Sequence, residues 1–134
     1  MRESRLIDAE RVDFIAVPVQ DRERAARFYG ETLGLRRNPN STETWVEFET
    51  GNVTLALVDP PAAGQPFVPL PFGSIVIRVP DVDVARARLE EAGVEVVGET
   101  WDSGVCNGAV FRDSEGNGLA VHRRYAPYND GTLP

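Results

Sequence analysis

The single histidine of this chain, His122, limits the chemistry the sequence can offer. One imidazole cannot supply a two-histidine metal site or an HExxH helix within a single chain. All 14 basic side chains are arginine, so there is no lysine for a Schiff base and none to reach the phosphates in a nucleotide-binding loop. The lone Cys106 cannot close an internal disulfide, which agrees with a reducing compartment, and nothing in the sequence supports a covalent role for it. What remains is a possible acid–base pair, His122 with Glu47, one arginine in a strand-like run, Arg78, and the flat rings of Phe14, Trp45 and Trp101.

These residues are positioned by a pattern that occurs twice. FIAVPVQD, ending at Asp21, and SIVIRVPD, ending at Asp81, are apolar strand-like runs, and each is followed by a helix-like stretch closed by glycine, at Gly34 and Gly93. Both copies finish with a glycine turn and a strand, GNVTLALV and GNGLAVHR, so Leu55, Ala56 and Leu57 correspond to Leu119, Ala120 and Val121. Neither copy alone buries both faces of its strands. The expected fold is therefore α+β: two tandem βαβββ modules side by side, forming a cupped, mostly antiparallel eight-stranded sheet with the helices on the convex face. Module one takes residues 12–58, a proline-rich linker 59–73, module two 74–125, and an irregular tail 126–134.

Within this frame, strands are predicted over 12–19, 35–38, 45–50, 53–58, 74–79, 94–97 with an extension to 102, 105–112 and 119–124. Asp21 is the expected N-cap of a helix presenting Ala25, Phe28, Tyr29 and Leu33 on one face, and the second helix presents Val82, Ala85, Leu89 and Ala92. Gly51-Asn52 is a two-residue hairpin signal, so Thr50 should pair with Val53. Phe48 and Val46 then oppose Leu55 and Leu57 on the core side, while Glu47 opposes Ala56 and Trp45 opposes Val58 in the cup. The turn 113–118 fixes no register by the same reasoning. Phe67, Leu70 and Phe72 of the linker need cover.

Strand alternation puts His122 on the face of Ala120, and Arg78 on the face of Ser74 and Val76. His122 is a ligand-contacting side chain, a structural hydrogen-bonding one, or a metal ligand or general base. Glu47 is a functional carboxylate or a solvated one at the rim. Arg78 either recognises an anionic group of a ligand or forms an internal salt bridge to Glu47 or Glu49. The facing of Cys106 and Asn107 stays open, and Arg123 and Arg124 read as surface charges.

A length of 134 residues with 42% hydrophobic content fits one domain. No run approaches a membrane span, and the start, MRESRLIDAERVD, lacks the apolar core of a signal peptide, so a cytoplasmic location is expected. A net charge of −7 argues against nucleic acid and anionic lipid as partners, and favours neutral or cationic small molecules.

On the segments VDFIAVPVQDRERAARFYGETLGL, VPDVDVARARLEEAGVEV and FRDSEGNGLAVHRRY, over roughly residues 12 to 125, the chain resembles the vicinal oxygen chelate superfamily, which includes glyoxalase I, bleomycin-resistance proteins and extradiol dioxygenases. In catalytic members of that family a divalent metal is held at places which here carry Phe14, Ala56, Ser74 and Ala120. Three of these have no lone pair to give and a serine hydroxyl alone is a poor ligand. The resemblance thus implies no metal or cofactor, and binding or sequestration of a small apolar or cationic molecule in a cup lined by Phe14, Trp45, Glu47, Ala56, Ser74, Arg78, Trp101, Ala120 and His122. It also implies a homodimer. The alternatives are a metal-dependent lyase, isomerase or dioxygenase with displaced ligands, a metal-free enzyme using His122 with Glu47, and a noncatalytic structural or regulatory dimerisation module whose pocket its own side chains would fill.

Overall fold

The structure, a computed structural model, describes residues 6–134; residues 1–5 of the N-terminal stretch read above for a signal peptide lie outside it. No helix among the described residues is long and apolar enough to cross a membrane. Module one opens with β1 (Phe14–Pro18). Asp21 then adopts an extended φ of −126° and its carboxylate accepts the Arg24 N–H at 3.0 Å, starting α1 (Arg22–Arg27). This first helix is one residue longer, from its Asp to its closing Gly, than the helix of module two. The extra residue widens the last turn, Phe28–Thr32, which closes with Leu33 N–H donating to Phe28 O at 2.9 Å. Strands β2 (Arg36–Arg37), β3 (Val46–Glu49) and β4 (Thr54–Val58) complete the module. Module two consists of β5 (Ile75–Arg78), α2 (Val82–Glu91) capped by Asp81, β6 (Val96–Asp102), β7 (Cys106–Arg112) and β8 (Gly118–Arg124).

The eight strands lie in two mixed four-stranded sheets, ordered β1-β4-β3-β2 and β5-β8-β7-β6. The β1/β4 and β5/β8 pairs are parallel and the others antiparallel. Thr50 N–H bonds Val53 O at 3.2 Å around Gly51, whose φ of +99° suits glycine, and the register is the expected one: Phe48 opposite Leu55, Val46 opposite Leu57, Glu47 opposite Ala56. One face of each sheet contributes to a single core that joins Val17, Tyr29, Phe48, Leu55 and Leu57 of module one to Leu89, Phe111, Leu119 and Val121 of module two. Each such side chain withdrawn from water contributes roughly 1.5–3 kcal/mol. Because the two sheets share that core, their opposite faces turn away from it.

A buried polar clasp locks the modules together. Asp113, Glu115 and Asn117, in the turn between β7 and β8, are the buried polar residues among those described. The Glu115 carboxylate, with no accessible surface, accepts the N–H groups of Gln20 and Asp21 at 2.8 Å each and Arg24 Nε and Nη2 at 2.8 and 3.1 Å. It thereby satisfies orphan donors at the start of α1. Asn117 Nδ2 donates to Pro18 O at 2.8 Å, and Tyr29 OH donates to Asp113 Oδ2 at 2.6 Å. The turn that sequence periodicity left unassigned is thus a tightly specified one.

Among the described residues the clasp has no counterpart at the other helix. Val84 stands three residues after its capping Asp, where Arg24 stands in α1, and the short 50–53 turn bonds within itself through Thr50 Oγ1 to Asn52 Oδ1 and Val53 O. A largely apolar hollow of about 290 Å³ remains there, lined by residues including Leu33, Leu35, Ile77, Val79, Val84 and Leu89. Two apolar expectations differ from the structure. Ala92 is exposed, because α2 ends at Glu91, and Phe72 keeps 67% of its surface accessible while Phe67 and Leu70 are half-buried. The backbone beside Phe72 is instead used to cover Gly118, whose N–H donates to Leu70 O at 3.0 Å.

Candidate functional site

The outward face of module one carries Phe14, Trp45, Glu47 and Ala56 together. Register places Ala16, Ala56 and Glu47 in one cross-strand row, with Phe14, Thr54 and Glu49 in the next. Ala56 is fully buried, with no surface of its own exposed on this face. Trp45 precedes β3, and its ring meets that of Phe14 edge to face, 5.5 Å between centroids at 87°. Its indole N–H donates to the Glu47 carboxylate. Glu49 is tied up structurally: Asn38 Nδ2 and the Thr54 hydroxyl donate to it at 3.0 and 2.8 Å, and those two bonds hold its carboxyl below the ordinary range. Glu47 makes no ion pair among the described residues.

On module two the corresponding face carries a row that crosses all four strands: Trp101, Gly108, His122 and Arg78, one from each of β6, β7, β8 and β5. Beside it lies an apolar row of Val110, Ala120 and Val76. Glycine at 108 has a specific reason. A Cβ there would fall 2.5 Å from the Trp101 ring and 3.0 Å from Val121 O, so its absence lets the indole lie across β7 against the imidazole of His122, 5.7 Å away. A bulge between Val97 and Trp101, where Gly98 takes φ +71°, shifts the register by two residues and sets Trp101 opposite Gly108. Cys106 is two residues before Gly108 and shares its face, whereas Asn107 is on the other. Ser74 is exposed, and its hydroxyl donates to Pro71 O at 2.6 Å.

The Arg78 side chain makes no ion pair or hydrogen bond among the described residues, so the salt bridge to Glu47 or Glu49 expected as one reading of it is not formed. The physical reason is the division of strands: both acids are on the outward face of the other sheet. It borders a groove of about 530 Å³ along β5, between Ser74 and Val76 on one side and Ile15 and the 50–53 turn on the other. Arg124, read as a surface charge, instead holds the tail: it donates to Ala126 O at 3.0 Å and Pro127 O at 2.9 Å and lies 4.6 Å over the Tyr128 ring. Gly108 and Val110 belong to the module-two face and were not singled out from sequence. A glycine inside a strand next to a tryptophan-bearing one was the available signal.

Within one chain the nine predicted residues fall into two groups on separate sheets, Phe14, Trp45, Glu47 and Ala56 with one and Ser74, Arg78, Trp101, Ala120 and His122 with the other. Phe14, Trp45, Val76 and Trp101 are all exposed large apolar side chains. The places at which the family's catalytic branches hold a metal present a phenyl ring, two methyl groups and a hydroxyl already donated to a carbonyl, so they do not fit a divalent ion. Glu47 and His122 lie on separate sheets. No group of three or more His, Cys, Asp and Glu side chains suited to a metal occurs among the described residues.

Comparison with known proteins gives a match of residues 11–121 to the family model described as Glyoxalase/Bleomycin resistance protein/Dioxygenase superfamily. The chain belongs to this superfamily. An uncharacterized protein of Mycolicibacterium smegmatis is 29% identical over 112 residues, 83% of this chain and 91% of its own length. Among solved structures of the superfamily's fold, TnmS3, an antibiotic binding protein from Streptomyces sp. CB03234, is 28% identical with a TM-score of 0.71, over 89% of this chain and 99% of that one. A glyoxalase/bleomycin resistance protein from the same Streptomyces is 30% identical with a TM-score of 0.66, over 84% and 100%. Lactoylglutathione lyase from Agrobacterium tumefaciens, at 22% identity, TM-score 0.69 and coverage of 86% and 94%, shares the fold.

Proposed function

We propose that this glyoxalase/bleomycin-resistance-like protein binds or sequesters a small apolar or cationic ring-bearing molecule, without a metal, in a cup that a second copy of the chain completes. The observation that carries this reading is exposed aromatic side chains on the faces whose family metal positions carry alanine: Phe14 and Trp45 on the face of Ala56, and Trp101 on that of Ala120, where metal-using relatives place ligands. Flat apolar walls with a few polar groups are the ordinary make-up of a small-molecule pocket. The carboxylate of Glu47 beside two rings favours a cation, and the net charge of −7 draws one in. A neighbouring structure, TnmS3, is described as an antibiotic binding protein. The second copy is supported by β1 and β5, each at the end of its sheet's strand order, and by the open aromatic faces next to them. A two-fold arrangement would set module one of each copy against module two of the other.

Equilibrium binding of a chemically varied library of flat ring compounds, followed by fluorescence of the chain's two tryptophans, one in each half-site, tests the reading. Saturable quenching with one ligand per cup, in protein that sediments as a dimer, is the expected result. Failure of every compound to bind would refute it, as would stoichiometric divalent metal in protein purified without chelator. The metal-free enzyme reading, with His122 and Glu47 as acid and base, predicts turnover of a bound compound that is lost in both His122→Ala and Glu47→Gln.

A further inference from the structure

We infer that the molecule held in the cup is dipolar: a flat ring system with a cationic group on the Phe14, Trp45 and Glu47 side and an anionic group held by Arg78. This deepens the binding reading above and rests on it, including the apposition of module one of one copy with module two of the other. The two half-sites repeat the same aromatic plan with opposite charge. On module one, edge-to-face rings flank a carboxylate that has accepted one indole N–H and makes no ion pair among the described residues. On module two, indole, imidazole and guanidinium stand in one cross-strand row, above a floor of Val76, Val110 and Ala120.

Arg78 is the element that an apolar or purely cationic ligand leaves unexplained. Acidic side chains number 21 against 14 arginines, and Arg24, Arg86 and Arg112 of this chain all have carboxylates at 2.8 Å. Arg78 has none among the described residues, a lack it shares with Arg22, Arg36, Arg37, Arg88, Arg123 and Arg124; what distinguishes it is its place in the cross-strand row with His122 and Trp101, on a face whose other members are largely apolar. A guanidinium left open beside aromatic rings offers a planar two-point donor to a carboxylate or phenolate, and stacks on the ring that carries it. Its neighbour on β8, His122, can add a hydrogen bond to the same group. Trp101 is held in this row by the missing Cβ of Gly108, so the strip is built and not a chance grouping of surface residues.

Calorimetric titration with four naphthalene probes separates this inference from the reading beneath it: 2-naphthylmethanol, 2-naphthylmethylammonium, 2-naphthoate and 6-(aminomethyl)-2-naphthoate. The last is expected to bind at least about tenfold more tightly than the neutral alcohol, a factor that one charge-assisted contact supplies. Arg78→Gln should remove the advantage of 2-naphthoate over the alcohol, Arg78→Lys should restore part of it, and Glu47→Gln should remove the advantage of the ammonium probe. Binding of the alcohol with no gain for the dipolar probe, or an unchanged naphthoate-to-alcohol ratio in Arg78→Gln, would overturn the inference and leave the binding reading intact. No binding by any of the four would defeat both. Weakened dimerisation of Arg78→Gln and of Glu47→Gln without probe would show that the two side chains pair across copies, which also overturns it.

Discussion

Glu115→Gln is expected to destabilise the protein by about 2–3 kcal/mol at pH 7, with a loss that fades in acid. The side chain is sealed from solvent and receives five donors: the N–H groups of Gln20 and Asp21, two from Arg24, and the Ser114 hydroxyl at 2.8 Å. Burial by itself opposes the charge, but Arg24, the Asp21 N–H, Ser114 and the Gln20 N–H outweigh it and pull the carboxyl down to about 2 from an ordinary 4.5. At ~1.4 kcal/mol per pH unit that depression is worth about 3 kcal/mol, and the half-exposed Arg24 lowers the figure to about 2 through solvent screening. An amide presents one acceptor in place of two and turns an NH2 toward donors, leaving at least one buried N–H unmatched at a cost of about 1–3 kcal/mol. Because the folded-state pKa is below the unfolded one, the stabilisation is fully present above about pH 4.5 and disappears as pH falls toward 2. Urea unfolding followed by far-ultraviolet circular dichroism at pH 7, 5, 4 and 3 reads this out. The gap between wild type and variant should be constant from pH 7 to 5 and narrow below. Equal midpoints at pH 7, or a gap that persists undiminished at pH 3, would refute the reasoning.

Gly118→Ala should destabilise by about 2–4 kcal/mol in urea unfolding, since its Cβ would lie 2.6 Å from Pro71 O and 2.8 Å from Phe72 Cα, both backbone atoms that cannot turn aside. Gly108→Ala meets the ring of Trp101 instead, so a smaller loss of about 1–2 kcal/mol is expected, together with a shift of the tryptophan emission spectrum as the indole is displaced from His122. Tyr29 is held protonated by burial first and by the adjacent Asp113 carboxylate, which raises its pKa; the stability it contributes is present below pH 10 and lost above, so ultraviolet titration should find Tyr29 silent until the protein unfolds in alkali. Tyr29→Phe should cost about 1–2 kcal/mol at pH 7, because Asp113 Oδ2 loses a buried donor.

Much of the fold could be read from local chemistry. The Asp caps of both helices and the Gly51-Asn52 hairpin are short-range signals, and the hairpin alone fixed which of Val46, Glu47 and Phe48 face the core. Alternation then placed Arg78 and His122 correctly on one face, and register makes them direct neighbours. What escaped depends on distance along the chain. Glu115 is an ordinary surface acid until residues 94 positions away supply its donors. The turn around it therefore looked unconstrained. What the bulge hid is the register of Trp101: it adds two residues to β6 around Gly98, which keeps the facing but seats the ring opposite Gly108. The salt bridge considered for Arg78 counted available acids without knowing that the sheets carrying them turn apart.

The one-sided clasp also bears on how the protein is made. The amides of Gln20 and Asp21 that lead into the first helix wait for a carboxylate made 94 to 95 residues later. The first module must therefore stay unfinished, with aromatic surface uncovered, until the β7–β8 turn of the second has emerged. Gene fusion or truncation that separates the halves would remove the closing piece from the part that needs it, so neither half is expected to survive as an independent minimal protein.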